Sequence, residues 1–144
     1  MRIMNGLFLK MGAIVALFAA VAQGCVGDDE NMWFYNKCGE EVELYMATFG
    51  VDAGVLISPE IVFDDKIPAV RVRENGSYRI DMRLAPYDAL KSGKETMQFL
   101  VFRKSTLERY SQEELVEGDI FDQRYVLTYD EMKKIGYGIV YLGK

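Results

Sequence analysis

Alternating apolar and polar positions recur along most of the chain and predict short β-strands. In residues 41–49, Val42, Leu44 and Met46 share one face, which is typical of a half-buried strand. Residues 96–103 form a nearly continuous apolar run, which favours a central strand. Shorter strands are predicted at 55–57, 69–73, 77–82, 123–127 and 137–142, with the aromatic-rich segment 32–36 entering as an edge strand or a plug.

Asn75 and Gly76 lie between two alternating segments and predict a β-hairpin. Asn-Gly is favoured in type I′ turns because both central residues of that turn need positive φ. Residues 69–73 and 77–82 are therefore expected to pair with each other.

Capping signals predict two brief helices near the C-terminus. Ser111 and Glu114 form a capping box, and the helix that they begin is expected to end at Gly118. Thr128 and Glu131 repeat the arrangement, with Gly136 ending that helix in the left-handed conformation. A single helical turn is expected at 85–90, with Pro86 at its first position.

Together these elements predict a mainly β fold, a single β-sandwich-like domain with two short C-terminal helices over residues 32–144. The alternative is an α+β fold, an antiparallel sheet with helices on one face. A chain of about 120 residues buries roughly two thirds of its unfolded surface, which is enough for one core.

Residues 1–24 have the pattern of a secretory signal peptide. Arg2 and Lys10 precede a 12-residue apolar stretch that is too short to span a membrane. Two cleavage schemes compete. Residues 21–25 resemble a lipobox that ends in Cys25, which would be lipidated, whereas residues 20–22 form an A-x-A site whose cleavage leaves an unmodified Cys25.

Residues 25–31 are predicted to be the lipidated cysteine and a flexible acidic tether. The segment after Cys25 is small, polar and acidic, as in linkers between an anchor and a folded domain. If Cys25 is lipidated, Cys38 has no partner within the chain. If Cys25 is unmodified, a disulfide between the two cysteines is plausible.

The C-terminal half resembles small cell-envelope lipoproteins of Bacteroides-type bacteria (Bacteroidota), a group without an assigned activity. The resemblance covers residues 97–142 and rests on FLVF at 99–102, STLERY at 105–110, RYVLTYDEM at 124–132 and GIVY at 138–141. It implies a compact β-rich domain that two or three acyl chains on the lipidated cysteine hold to the outer membrane. Some members of this group are surface-exposed.

Charge and composition exclude several classes of function. The chain contains no histidine, which removes Ser-His-Asp and Cys-His catalysis and His-ligated zinc. After residue 24 the chain carries 15 basic and 22 acidic residues, so nucleic-acid binding is not expected. No cofactor motif is present, and we expect no enzyme activity.

Two groups of side chains remain as candidate sites. Trp33, Phe34 and Tyr35 could form an exposed aromatic patch for a glycan or an envelope protein. Asp119 and Asp122 are a weak Ca²⁺ candidate in a loop, and no other metal ligands are expected.

The sequence therefore predicts a membrane-anchored binding or structural module of the cell envelope, attached through the lipid on Cys25. One alternative is a soluble periplasmic protein released after Ala22. Another is a small enzyme that uses carboxylates, drawn from Asp64, Asp65, Glu113, Glu114, Asp119 and Asp122.

Overall fold

A computed structural model describes residues 31–143, which fold into two β-sheets and five short α-helices. The fold is mainly β and sandwich-like, as the sequence predicts. The strands are β1 (Asn31–Asn36), β2 (Val42–Gly50), β3 (Val70–Val72), β4 (Ser77–Asp81), β5 (Glu95–Arg103), β6 (Gln123–Leu127) and β7 (Gly138–Tyr141). The helices are α1 (Pro59–Asp64), α2 (Asp88–Lys91), α3 (Lys104–Arg109), α4 (Gln112–Glu117) and α5 (Tyr129–Lys134). Single 3₁₀ turns lie at Val51–Ala53 and Ala85–Tyr87.

The three-stranded sheet has the order β4-β1-β7. Strand β1 lies in the middle, antiparallel to β4 and parallel to β7. The prediction of an edge strand or plug for residues 32–36 was wrong. Met32 and Phe34 belong to the buried core and both edges of β1 are hydrogen-bonded, so an aromatic-rich segment that looked peripheral is central.

The four-stranded sheet has the order β3-β2-β5-β6 and is antiparallel throughout. Its longest pairing joins β2 and β5 over nine residues, from Val42 opposite Arg103 to Gly50 opposite Glu95. Strand β5 lies between β2 and β6, which confirms the central position that its apolar run predicts. Neighbouring β5 residues point to opposite sides, so this sheet is apolar on both faces.

The main core fills the space between the two sheets. The three-stranded sheet contributes Met32, Phe34 and Ile139, and α5 contributes Met132. The facing side of the four-stranded sheet contributes Val42, Leu44, Met97, Phe99, Val101, Tyr125 and Leu127.

A second apolar cluster lies on the outer face of the four-stranded sheet. Leu100 and Phe102 of β5 pack there with Val62 of α1 and Leu115 of α4. The molecule therefore has three layers, namely the small sheet, the large sheet and a helical cover. The predicted sandwich and its alternative, a sheet with helices on one face, each describe part of this arrangement.

The capping signals placed both C-terminal helices correctly. The Ser111 hydroxyl accepts from the Glu114 amide, and the Glu114 side chain accepts from the Ser111 amide. The Thr128 hydroxyl accepts from the Glu131 amide, and Gly136 has a φ of 65°. The sequence predicts neither α1 nor α3. Ser58 caps α1 and Pro59 is its first residue, directly after the segment predicted as a strand at 55–57.

The predicted strand at 55–57 is absent, and a glutamine side chain replaces its pairing. Gln98 of β5 accepts from the Ile57 amide at 2.7 Å and donates to the Val55 carbonyl at 2.8 Å. Because the side-chain amide both donates and accepts, it binds this segment as a neighbouring strand would.

The Asn75-Gly76 turn is not a type I′ hairpin. The Gly76 amide donates to the Arg73 carbonyl at 2.8 Å, and only Asn75 has positive φ, at 59°. This turn therefore spans 73–76 and resembles type II. Its flanking strands belong to different sheets, because β3 pairs with β2 and β4 pairs with β1.

Candidate functional site

The outer face of the three-stranded sheet carries two of the three predicted patch aromatics. Successive side chains of a strand point to opposite faces, so Trp33 and Tyr35 point away from the core that contains Met32 and Phe34. Both outward rings are half-buried. Phe34 is fully buried and is therefore removed from the predicted exposed patch.

The Trp33 and Tyr35 rings stack on each other. Their ring centroids lie 5.9 Å apart and the ring planes differ by only 18°, which is a stacked arrangement. Across the sheet, Trp33 is opposite Arg79 of β4 and Gly138 of β7. Gly138 is itself buried, whereas Arg79 is exposed, so the charge of Arg79 lies on the side of Trp33 that faces β4. We call the stacked Trp33 and Tyr35 the aromatic pair.

Asn36 organises the turn that follows β1, and the sequence analysis overlooked it. Its buried amide donates to the carbonyls of Glu40, Val72 and Arg73, and its side-chain oxygen accepts from the Cys38 amide at 3.1 Å. One side chain thus ties the end of β1 to the end of β3.

Cys38 is a half-buried free thiol, whereas Cys25 lies outside the described residues. The Cys38 thiol donates to the Glu40 carbonyl at 3.3 Å. Burial raises the pKa of this thiol, so its reactive thiolate form is disfavoured.

Asp122 is part of a hydrogen-bonded cluster rather than an open carboxylate. One carboxylate oxygen accepts from Arg103 Nε at 2.9 Å and Thr106 Oγ1 at 3.0 Å, and the other accepts from the Arg103 amide at 2.7 Å. The bond to Asp122 raises the pKa of the Arg103 guanidinium. The second residue of the Ca²⁺ candidate, Asp119, is exposed with a φ of 49°. Within residues 31–143, no group of three or more acidic or thiol side chains could hold a metal ion.

A groove of about 300 Å³ lies between β2, β3 and α3. Its carboxylates are Glu41, Glu43 and Glu108, none of which the sequence analysis selected. Glu43 accepts from the Tyr45 hydroxyl at 2.9 Å and lies 3.9 Å from Arg71. The groove therefore brings three carboxylates together, and that of Glu43 is already hydrogen-bonded to Tyr45. Its remaining lining residues are Val42, Lys104 and Leu107.

Arg124 of β6 is a buried cation. It lies 4.6 Å from the centroid of the Phe121 ring and donates to the Ile57 carbonyl at 3.3 Å. Burial lowers the pKa of its guanidinium. These contacts hold the segment before α1 against the four-stranded sheet, which is a structural role.

No protein-family model, curated protein or solved structure matches the chain. Among the described residues, no helix combines the length and apolarity that crossing a bilayer requires. The aromatic pair combines two adjacent aromatic rings with the exposed charge of Arg79 opposite Trp33, and it is the candidate binding site.

Proposed function

We propose that this chain is an exported lipoprotein of the bacterial cell envelope, anchored to the outer membrane through Cys25, with a domain that binds a glycan through the aromatic pair. The signal-like residues 1–24 and the lipobox-like residues 21–25 support the anchoring. The lack of histidine supports a role without catalysis.

The observation that carries the binding proposal is the stacking of Trp33 and Tyr35 on the outer face of the sheet. Sugar rings present flat faces of C–H groups, which pack against aromatic rings, while their hydroxyls bond to polar neighbours. Arg79 is placed opposite Trp33 to donate to such hydroxyls.

Mass spectrometry of the mature N-terminus tests the anchoring. We expect a diacylglyceryl group on Cys25, and we expect Cys25→Ser to leave the protein unlipidated. An unmodified chain that begins at Gln23 would overturn the anchoring and establish the soluble periplasmic alternative.

Fluorescence titration tests the binding, because Trp33 is the only tryptophan of the chain. The probes are soluble oligosaccharides of glucose, mannose, galactose and N-acetylglucosamine. We expect one of them to shift the emission of Trp33, and Tyr35→Ala to weaken that binding about tenfold through loss of ring contact. Tyr35→Phe keeps the ring and is the matched control. If no probe alters the emission of Trp33, the glycan proposal fails.

A carboxylate-based enzyme is the second candidate, because the groove beside α3 brings Glu41, Glu43 and Glu108 together. Hydrolysis of any of the same oligosaccharides, abolished by Glu43→Gln but not by Tyr35→Ala, would favour it over the binding module.

A further inference from the structure

The end of the sandwich at which β1 begins differs from the rest of the domain in charge and apolar exposure. This end, which we call the base, comprises the loops 50–58, 82–94 and 128–137. The strand register places the first two together, because Asn31 is opposite Asp81 and Gly50 is opposite Glu95. The third joins them because Leu127, which precedes it, is opposite Met97, and Gly138, which follows it, is opposite Trp33. The Val51 amide also donates to the Lys94 carbonyl at 2.9 Å, which joins two of the three loops.

Exposed aliphatic side chains concentrate at the base. Four large hydrophobic residues are prominently exposed in the described chain, and three of them, Val51, Val55 and Leu84, lie in the basal loops. Leu84 is 54% exposed and Val51 is 50% exposed. The fourth, Leu142, follows β7 at the opposite end. Aliphatic residues grouped on one end of a domain mark a surface that contacts an apolar phase or a partner.

The base also differs from the rest of the domain in charge. Residues 31–143 carry 14 basic and 19 acidic side chains, whereas the basal loops alone carry five basic and four acidic ones. Asp81 and Glu95, which border these loops, bring the base close to neutral, whereas the remainder of the domain stays negative. Cations beside exposed aliphatic residues suit the phosphate layer of a membrane surface, which repels the acidic remainder. The five basic residues of the base are Arg83, Lys91, Lys94, Lys133 and Lys134.

The chain also reaches the domain at the base. Asn31 is the first residue of β1, and only six residue steps separate it from Cys25, a span of about 20 Å at full extension. If Cys25 is held in a bilayer, the basal loops are within reach of the same surface.

From these three observations we infer that the base rests on the bilayer that holds the lipid, with Val51, Val55 and Leu84 entering the headgroup region and the basal cations contacting lipid phosphates. The inference relies on the proposed lipidation of Cys25. It gives the domain one orientation, in which the strands rise from the membrane and the aromatic pair lies on the side, accessible to a glycan.

Hydrogen exchange on the lipidated full chain tests the inference. The chain is compared in detergent and in vesicles of phosphatidylethanolamine with phosphatidylglycerol. We expect amides of the basal loops to exchange about tenfold more slowly in vesicles, a factor that the burial of one aliphatic side chain can supply. Amides of α3, which follows β5 at the opposite end, are expected to be unchanged.

Two matched substitutions sharpen the test. Leu84→Asp places a charge at the base and should remove the basal protection while the lipid still binds the vesicle. Leu142→Asp makes the same change at an exposed position of the opposite end and should leave the protection intact. Both positions are exposed, so both variants are expected to fold.

The outcomes separate the two proposals. A chain that binds vesicles through lipid but exchanges at the base as it does in detergent overturns this inference and leaves the anchoring in place. A chain that does not carry lipid or bind vesicles overturns both. Basal protection that persists in Leu84→Asp also overturns the inference.

Discussion

The Tyr125 hydroxyl is buried in the main core without a hydrogen-bond partner among the described residues. Burial raises the pKa of this phenol, so the group stays neutral at any ordinary pH. A buried hydroxyl without a partner costs free energy because it has left water without compensation.

We therefore expect Tyr125→Phe to leave the free energy of unfolding unchanged or to raise it by about 1 kcal/mol. Urea unfolding followed by circular dichroism measures the change. A loss of more than about 1 kcal/mol would mean that the hydroxyl has a partner that the described contacts do not include.

Asp81 at the end of β4 titrates far below an ordinary carboxyl group. Hydrogen bonds from the Arg83 guanidinium and amide lower its pKa from 3.8 to about 2. Because the pKa is lowered on folding, the stabilisation from this contact is present above pH 3.8 and is lost as the pH falls through about 2.

A carboxyl-detected NMR titration should therefore give Asp81 a midpoint near pH 2. In Arg83→Ala the midpoint should move back toward 3.8, since both the guanidinium bonds and their charge are lost. An unchanged midpoint in that variant would show that Arg83 is not the cause.

At the scale of the element, the sequence predicts what is encoded locally and fails where pairing is decided elsewhere. Ser111 and Thr128 identify their helices because a cap and the amide that it accepts from lie three residues apart. Asn75-Gly76 indicates a turn whether or not the flanking strands pair with each other. Here they do not, because β3 pairs with β2 and β4 pairs with β1. No local signal distinguishes the two arrangements.

The candidate site also has a part that local sequence predicts and a part that depends on distant contacts. Alternation along β1 fixes that Trp33 and Tyr35 share a face, so the pair was predictable once a strand was assumed. That their face is the outer one depends on the four-stranded sheet packing against the opposite face, which carries Met32 and Phe34. Alternation along one strand does not show which of its two faces another sheet covers. The groove glutamates depend on α3 lying beside β2, a contact between distant parts of the chain.

Gly76 allows the turn between the sheets to close tightly. A Cβ atom added at this position would lie 2.9 Å from the Arg73 carbonyl oxygen, closer than side chains tolerate against backbone. We expect Gly76→Ala to reduce the free energy of unfolding by about 1–3 kcal/mol, because the turn must open and strain its hydrogen bond.

Gly50→Ala is the control for that measurement. A Cβ at Gly50 would meet its nearest neighbour, the Ala53 Cβ, at 3.9 Å, an ordinary contact. This variant should unfold at nearly the same urea concentration as the unmodified protein. Equal destabilisation by both substitutions would contradict the proposed role of close packing at Gly76.

At the scale of the whole molecule, the four-stranded sheet belongs to two apolar clusters at once. Phe99 and Val101 face the main core, whereas Leu100 and Phe102 face the helical cover. Since neighbouring residues of β5 belong to both clusters, disrupting the packing of one cluster should also disrupt the packing of the other. We expect a single cooperative unfolding transition.

Leu115→Ala tests this coupling from the helical cover. The residue is 2% exposed, so we expect a loss of about 2–5 kcal/mol in the free energy of unfolding. Fluorescence of Trp33 reports the distant three-stranded sheet, and its midpoint should fall together with that of circular dichroism. A fluorescence midpoint that does not move would contradict the coupling. Leu84→Ala, at an exposed position, should shift neither signal.

The parallel pairing of β1 with β7 has a consequence for the time course of biosynthesis. The first and the last described strands are direct neighbours, so the small sheet cannot form until the ribosome has made residues 138–141. Until then Met32 and Phe34 lack their final surroundings, and the non-local pairing makes folding slow. A nascent chain that stays open until residues 138–141 have been made can still be threaded through a secretion channel, as the proposed export requires.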